Sequence, residues 1–123
     1  MLGRSLKSAK KAGSSFERMV ADYLAEALDD RGIDRQVRTG AKDLGDVRGV
    51  TIWGRKIAVE CKNVLKMALP QWLREAEVER GNLDGLAGVV VHKRHGSAKP
   101  GEQLVTMTLA DFAALLSGSR CSE

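Results

Sequence analysis

The sequence predicts an α/β domain in which a mixed central sheet of about five strands is flanked by helices, in the order α-β-β-β-α-β-β-α. Three patterns lead to this prediction. An amphipathic helical segment comes early, two short apolar runs meet at a tight glycine turn, and a further helical segment precedes a continuous β-branched strand. Because a helical crossover between strands lies over the sheet, helices and sheet are expected to share one core.

The chain length predicts one domain. Residues 1–12 are rich in Ser, Lys and Gly and predict a flexible basic arm, residues 13–117 form the folded domain, and residues 118–123 read as a disordered tail. No apolar run approaches the roughly 20 residues that span a bilayer, so we expect no membrane partner. The two cysteines, Cys61 and Cys121, favour reduced thiols in the cytoplasm over a disulfide framework.

A first helix is expected to begin at Ser14 or Ser15, either of which can cap it. Glu17 falls in its first turn, where a carboxylate suits the helix dipole. The helix is expected to end near Arg31 and Gly32, with the glycine as its C-terminal cap. Its apolar face is formed by Phe16, Met19, Val20, Tyr23, Leu24, Ala27 and Leu28.

The later elements follow from strand composition and helix signals. Five strands are expected at residues 33–39, 46–53, 55–63, 86–94 and 103–108. Pro70 is expected to open a helix over residues 70–81, and Thr108 to cap a closing helix over residues 108–116.

Positive charge is segregated along the chain. The net charge is +4, residues 1–11 contain four Lys and Arg residues and no acid, and residues 31–66 contain nine against four acids. A segregated positive surface favours binding to phosphate backbones. An ordinary solvated surface with a basic tail explains the charge alone equally well.

One strand carries charges inside an apolar run. In IAVECK, Glu60 and Lys62 fall on one face because side chains alternate along a strand. Asp46 begins the preceding strand, near the same end of the expected hairpin. Two carboxylates can hold a divalent cation, and the ammonium can orient or deprotonate a water or stabilise a phosphorane-like transition state. The alternative is a salt-bridged strand face, but this E-x-K tripeptide occurs once and follows a GD pair 14 positions upstream.

The order D…(apolar)-E-x-K resembles the core motif of the PD-(D/E)XK nuclease superfamily, with Gly45 where the superfamily places its proline. Within the superfamily, the chain is most similar to archaeal-type Holliday junction resolvases and their phage counterparts. The similarity covers residues 13–95. It includes GSSFER, with Gly13, Glu17 and Arg18, and QVRTGAKDLGD, with Arg38 and Asp46.

This resemblance implies a restriction-endonuclease-like fold and a DNA endonuclease that depends on Mg²⁺ or Mn²⁺. It implies Glu17, Asp46, Glu60 and Lys62 as catalytic residues, with the three carboxylates as metal ligands. The implied substrate is a four-way DNA junction, in the cytoplasm of a bacterial, archaeal or phage-infected cell. Since a junction needs two symmetric cuts, a homodimer follows. Glu17 has an alternative role as a residue that stabilises the helix dipole.

Several further residues are candidates for contacts with DNA. We expect phosphate contacts from Arg4, Lys7, Lys10, Lys11, Arg38, Thr39, Lys42 and Arg48, and Gln71 is a candidate accessory residue beside Lys62. His92 and His95 read as backbone-binding or solvated residues. Two alternative functions stay open: a restriction-like or repair nuclease on other branched or nicked DNA, and a catalytically inactive DNA-binding module.

Overall fold

A computed structural model describes residues 5–38 and 40–121 of the chain. Within these residues the helices are α1 (Leu6–Ala27), α2 (Leu69–Leu83) and α3 (Leu109–Ser117). The strands are β1 (Asp34–Arg35), β2 (Val47–Arg48), β3 (Thr51–Ile52), β4 (Arg55–Lys62), β5 (Ala87–His92) and β6 (Leu104–Thr106). A 3-10 turn, Pro100–Glu102, precedes β6. None of the described helices is both long and apolar enough to cross a membrane.

The six strands form one mixed, open sheet. Its order is β1-β2-β4-β5-β6. The short strand β3 lies off this path and pairs with β4. Only β4 and β5 run parallel among the described strands, with α2 as the crossover between them, and the other pairings are antiparallel. The predicted α/β class, with a mixed sheet flanked by helices, is confirmed, although the described sheet has six strands.

Hydrophobic layers cover both faces of the sheet. Ile57, Val59 and Cys61 of β4 pack into one cluster with Phe16 of α1 and Ala114 of α3. On the other face, Trp72 and Ala76 of α2 pack against Val90 of β5. Because side chains alternate along β4, Glu60 and Lys62 lie on the α2 face. The alternation predicted for β4 therefore places both charged residues on the side of the sheet that α2 covers.

The first helix begins earlier than the sequence predicts. Ser5 caps α1 by accepting a hydrogen bond of 3.1 Å from the amide of Ser8, and α1 ends at Ala27. Residues 6–12, predicted as part of a flexible arm, therefore lie in α1, and both the helix start predicted at Ser14 or Ser15 and the helix end predicted near Gly32 are wrong. Lysine and alanine are good helix formers, so the added turns continue a helix already nucleated by its packed half.

The second predicted strand is divided in two. Gly49, between β2 and β3, adopts a φ of +84°. A Cβ at this position would collide with the carbonyl oxygen of Gly32, in the connection that follows α1. The absence of a side chain at Gly49 therefore allows these two segments to pass close to each other. In the described part of the first predicted strand, residues 33–38, the strand is limited to the pair Asp34–Arg35.

The C-terminal residues are held against the domain. Arg120 forms an ion pair of 2.5 Å with the buried Asp111 and donates a hydrogen bond of 2.9 Å to the carbonyl oxygen of Leu86. Trp53, although 63% exposed, donates from its indole Nε1 to the carbonyl oxygen of Leu115 at 2.9 Å and packs on Gly118. The predicted disordered tail is therefore wrong for residues 118–121. The predicted Thr108 cap of α3 is confirmed.

Candidate active site

Asp46 is fixed to β4 through both its backbone and its side chain. Its amide donates to the carbonyl oxygen of Val59 at 2.7 Å, and its Oδ2 accepts a hydrogen bond of 2.8 Å from the amide of Cys61. Gly45 makes this approach feasible, because a Cβ there would lie 2.9 Å from the same Val59 oxygen. The Asp46 carboxylate is consequently held at the level of Glu60 and Cys61, close to the C-terminal end of β4.

Glu60 and Lys62 lie on the α2 face of β4, next to Asp46. Glu60 is only 7% exposed, and Lys62 Nζ lies 3.8 Å from its Oε2. Burial raises the pKa of Glu60 strongly, and the neighbouring carboxylates of Asp46 and Glu79 raise it further. The structure therefore brings Asp46, Glu60 and Lys62 together, as the sequence predicts, and crowds the two carboxylates.

Two carboxylates of α2 complete this group, and sequence reasoning missed both as site residues. Glu79 is 1% exposed and lies against Glu60, and its Oε1 has no hydrogen-bond partner among the described residues. Burial raises the pKa of Glu79 to about 7, the hydrogen bond with Glu60 lowers it, and nearby acids raise it. Glu75 lies 3.1 Å from Lys62 Nζ. Helical spacing from Trp72 and Ala76 was the available signal, since it places residue 79 on the buried face.

Glu17 reaches the site from the other face of the sheet. It belongs to α1, and its Oε1 lies 3.1 Å from Arg35 Nη2 of β1. Burial and the charge of Asp46 raise the pKa of Glu17, while the hydrogen bond and charge of Arg35 oppose that rise. Glu17 is therefore near enough to Asp46 to share its electrostatic field, but it also has a cationic partner that the sequence analysis did not identify.

The donor set suits a divalent cation held by two carboxylates. Among the described residues, no three or more His, Cys, Asp and Glu side chains are arranged to hold a metal ion. Mg²⁺ is commonly bound by one or two carboxylates, with water and substrate phosphates as its other ligands. Asp46 and Glu60 provide such a pair. Burial and the neighbouring carboxyl groups raise the pKa of Glu60, and the Oε1 of Glu79 has no hydrogen-bond partner among the described residues, so a cation would complete this group. These residues therefore fit the cation, whereas Glu17 stays a predicted ligand.

The basic residues predicted to contact DNA are spread over two surfaces. Lys7, Lys10 and Lys11 are exposed on the first turns of α1. Arg38 and Lys42 are exposed on the connection from β1 to β2, which encloses a groove of about 340 Å³ that extends to Asp46. Arg48 is exposed, with Nη2 3.8 Å from Asp34 Oδ2. The remaining two predicted contacts, Arg4 and Thr39, lie outside the described residues.

Three other sequence interpretations can be compared with the structure. Gln71 is exposed, and no hydrogen bond joins it to Lys62 in the described part of the chain; Glu75, one turn later, occupies that place. His92 is buried, with Nε2 2.8 Å from Thr106 Oγ1, so its interpretation as a solvated or DNA-contacting residue is wrong. His95 is exposed, and its Nε2 lies 3.0 Å from the carbonyl oxygen of Val64.

The site is thus an acidic group with one ammonium, placed where β2, β4 and α2 meet. Its carboxylates come from elements far apart in the chain, so the fold and not a local loop creates it. No protein-family model, no curated protein and no solved structure matches the chain.

Proposed function

We propose that the protein is a metal-dependent DNA endonuclease that resolves four-way junctions. The observation that carries the proposal is the contact between the half-buried carboxylate of Asp46 and the buried carboxylate of Glu60, with Lys62 on the same strand face as Glu60. Paired carboxylates beside an ammonium are suited to phosphodiester hydrolysis, because they can hold a cation and place a positive group near the developing charge.

Asp46 and Glu60 would hold Mg²⁺ or Mn²⁺. When bound, the cation supplies Lewis acidity at a phosphate oxygen and lowers the pKa of a bound water. The charged groups of the site support a requirement for a cation. In the described part of the chain, Arg35 and Lys62 accompany the carboxyl groups of Glu17, Asp46, Glu60, Glu75 and Glu79. Burial and crowding raise the pKa of Glu60 and of Glu79, so these two groups tend to hold protons without a cation, and a bound cation would displace the protons.

The residues of the chain have separable roles in this proposal. The amide of Cys61 holds the Asp46 carboxylate in one orientation through its hydrogen bond of 2.8 Å. Lys62 is charged, because the ion pairs with Glu75 and Glu60 outweigh its burial and raise its pKa. Its ammonium would orient the attacking water or stabilise charge on the phosphate oxygens. Glu75, 3.1 Å away, would keep the lysine side chain directed over β4.

The topology supports a restriction-endonuclease-like core. A helix precedes an antiparallel group of strands, and the strand with the E-x-K tripeptide then leads through α2 to a parallel neighbour. Basic side chains on the connection from β1 to β2, which lines the groove that extends to Asp46, and on the first turns of α1 would provide phosphate contacts. Two copies of the chain would make the paired cuts that a symmetric junction requires.

A cleavage assay tests the proposal. The full chain would be incubated with a four-way junction and with a linear duplex of the same arm sequence, in Mg²⁺ and in EDTA, with Glu60→Gln as the control for contaminating nuclease. We expect Mg²⁺-dependent cleavage of the junction. Equal cleavage of both substrates would replace junction resolution by a broader nuclease activity, and binding without cleavage would identify an inactive DNA-binding module.

A further inference from the structure

The loop that follows β4 exposes an apolar tip, formed by residues 64–67. Val64 is 43% exposed, Leu65 58% and Met67 56%. Single apolar side chains at a surface are ordinary, but three within four residues form a contiguous patch, and such patches mark interaction sites. The tip is therefore a candidate contact for a partner that accepts apolar side chains.

The tip lies at the same edge of the sheet as the candidate active site. It begins two residues after Lys62, the last residue of β4. Since β4 and β5 are parallel, with Lys62 opposite His92, the loops that follow both strands leave the sheet at this edge. His95 joins the two loops, because its Nε2 lies 3.0 Å from the carbonyl oxygen of Val64. A molecule bound at the tip would consequently also be near Lys62.

The two loops beside the tip carry cations that have no acidic partner. Residues 61–74 and 85–101, which contain the two loops, include six Lys and Arg side chains and no Asp or Glu. Lys62 and Lys99 form ion pairs with Glu75 and Glu102, just beyond these ranges, whereas Lys66, Arg74, Lys93 and Arg94 form no ion pair among the described residues. An apolar tip among cations complements a partner that has a negative backbone and apolar faces inside. DNA has both, because its phosphates lie outside and its bases can be parted by an inserted apolar side chain.

We propose that the tip inserts Leu65 and Met67 between bases at the branch point of DNA, while the surrounding cations hold the flanking phosphates. This inference rests on the proposed nuclease function and adds the means by which a branch is selected. Insertion into a continuous duplex requires the unstacking of intact base pairs, which has a free-energy cost at each step. At a branch the stacking is already interrupted, so the tip favours branched DNA over linear duplex.

The test uses binding in EDTA, so that it does not depend on cleavage. The probes are a four-way junction with 2-aminopurine at the branch point and a linear duplex with the same label. We expect the wild-type chain to raise the junction fluorescence several-fold. The double variant Leu65→Ser/Met67→Ser should lose most of that rise and bind the junction roughly tenfold more weakly, because it has no apolar side chains to insert between the bases. Its affinity for the duplex should change by less than about twofold.

Leu116→Ser is the matched control. Leu116 is 67% exposed on α3, and Trp53 ties its neighbour Leu115 to the turn before β4, at the opposite end of that strand from Lys62. This variant should behave as the wild type does. The proposal is overturned if the double variant keeps both the fluorescence rise and the junction affinity. It is also overturned if the double variant loses only binding to vesicles of equal parts phosphatidylglycerol and phosphatidylcholine, which would make the tip a membrane contact.

Cleavage in Mg²⁺, measured on the same proteins, separates the two proposals. If no protein cleaves either substrate, the nuclease function fails while the fluorescence result still decides the role of the tip. If cleavage proceeds but the fluorescence of the double variant matches that of the wild type, the nuclease stands and the insertion is excluded.

Discussion

Lys62 forms its shorter ion pair with Glu75 of α2, at 3.1 Å, and lies 3.8 Å from Glu60 on its own strand. Lys62 therefore does not depend on Glu60 to keep its place. The simplest alternative to catalysis, a lysine that only neutralises Glu60, predicts a fold that weakens when the lysine is lost. A catalytic lysine predicts a slower reaction in a fold of similar stability.

Lys62→Met should lower the single-turnover cleavage rate by a factor of roughly 100 or more, the range for loss of one preorganised electrostatic donor. Additional Mg²⁺ should not restore the rate, and junction affinity should change little. Glu75→Gln is the matched variant, since it removes the closer partner but keeps the ammonium, and it should have the smaller effect. Thermal unfolding is measured on both. A Lys62→Met protein that unfolds early yet cuts at the normal rate would make Lys62 a structural residue.

Asp46→Asn and Glu60→Gln should each lower cleavage by a factor of roughly 1,000 or more, because each removes a proposed cation ligand. Binding of the uncut junction in EDTA should stay equal for Glu60→Gln, because the raised pKa of Glu60 already keeps that carboxyl group neutral without a metal, and should stay equal or become tighter for Asp46→Asn. The carboxamide of Asp46→Asn keeps an oxygen that can accept the hydrogen bond from the Cys61 amide. Glu26→Gln, at an exposed glutamate of α1, is the control. Normal cleavage by both variants would contradict the site assignment.

The metal-free protein should lose stability as pH rises from about 5 to about 8, where Glu79 titrates, and should continue to lose it above pH 8, because burial raises the pKa of Glu60 to about 11. Burial raises the pKa of Glu79 from an ordinary 4.5 to about 7. Within that window the folded state binds more protons than the unfolded state, so the free energy of unfolding falls with increasing pH. Melting temperatures in EDTA should show the decline, and Glu79→Gln should reduce it. Glu26→Gln should leave it unchanged, and a Glu79→Gln protein with the full decline would exclude Glu79 as its source.

The basic start of α1 should contribute to DNA affinity through charge. Replacement of Lys7, Lys10 and Lys11 by Gln removes three exposed cations. Junction affinity should fall, and the slope of log affinity against log salt should become shallower by about 0.9 for each phosphate that the variant no longer neutralises. The control replaces Arg31, Arg55 and Lys56, which have no role in the proposed DNA surface. An unchanged slope in the first variant would show that these turns of α1 are only solvated.

Local signals explain the parts of the fold that sequence reasoning predicts well. Pro70 and Thr108 mark helix starts in the sequence, and the structure has α2 and α3 there. Alternation along β4 placed Glu60 and Lys62 on one face. The start of α1 was harder to predict, since its first turns bury little, so their composition suits a solvated helix as well as a flexible arm.

Long-range contacts explain what the sequence could not reveal. The break at Gly49 depends on its approach to Gly32, which no local pattern announces. Glu79 was missed because glutamates are rarely buried, so a charged residue on a helix is assigned to the solvent side. In this fold the helix packs over two other carboxylates, and only the tertiary structure shows that Glu79 meets them.

The two tryptophans give the molecule a pair of separate optical reporters. Trp72 is buried, with its ring centroid 5.5 Å from that of His92, whereas the exposed Trp53 binds the end of α3 and contacts Gly118. Trp72 lies under the edge of the sheet that carries Lys62, so its emission is sensitive to events at that edge. Trp53 senses whether the C-terminal segment is docked. Changes in emission wavelength can thus be assigned to one end of the domain or the other without an attached dye.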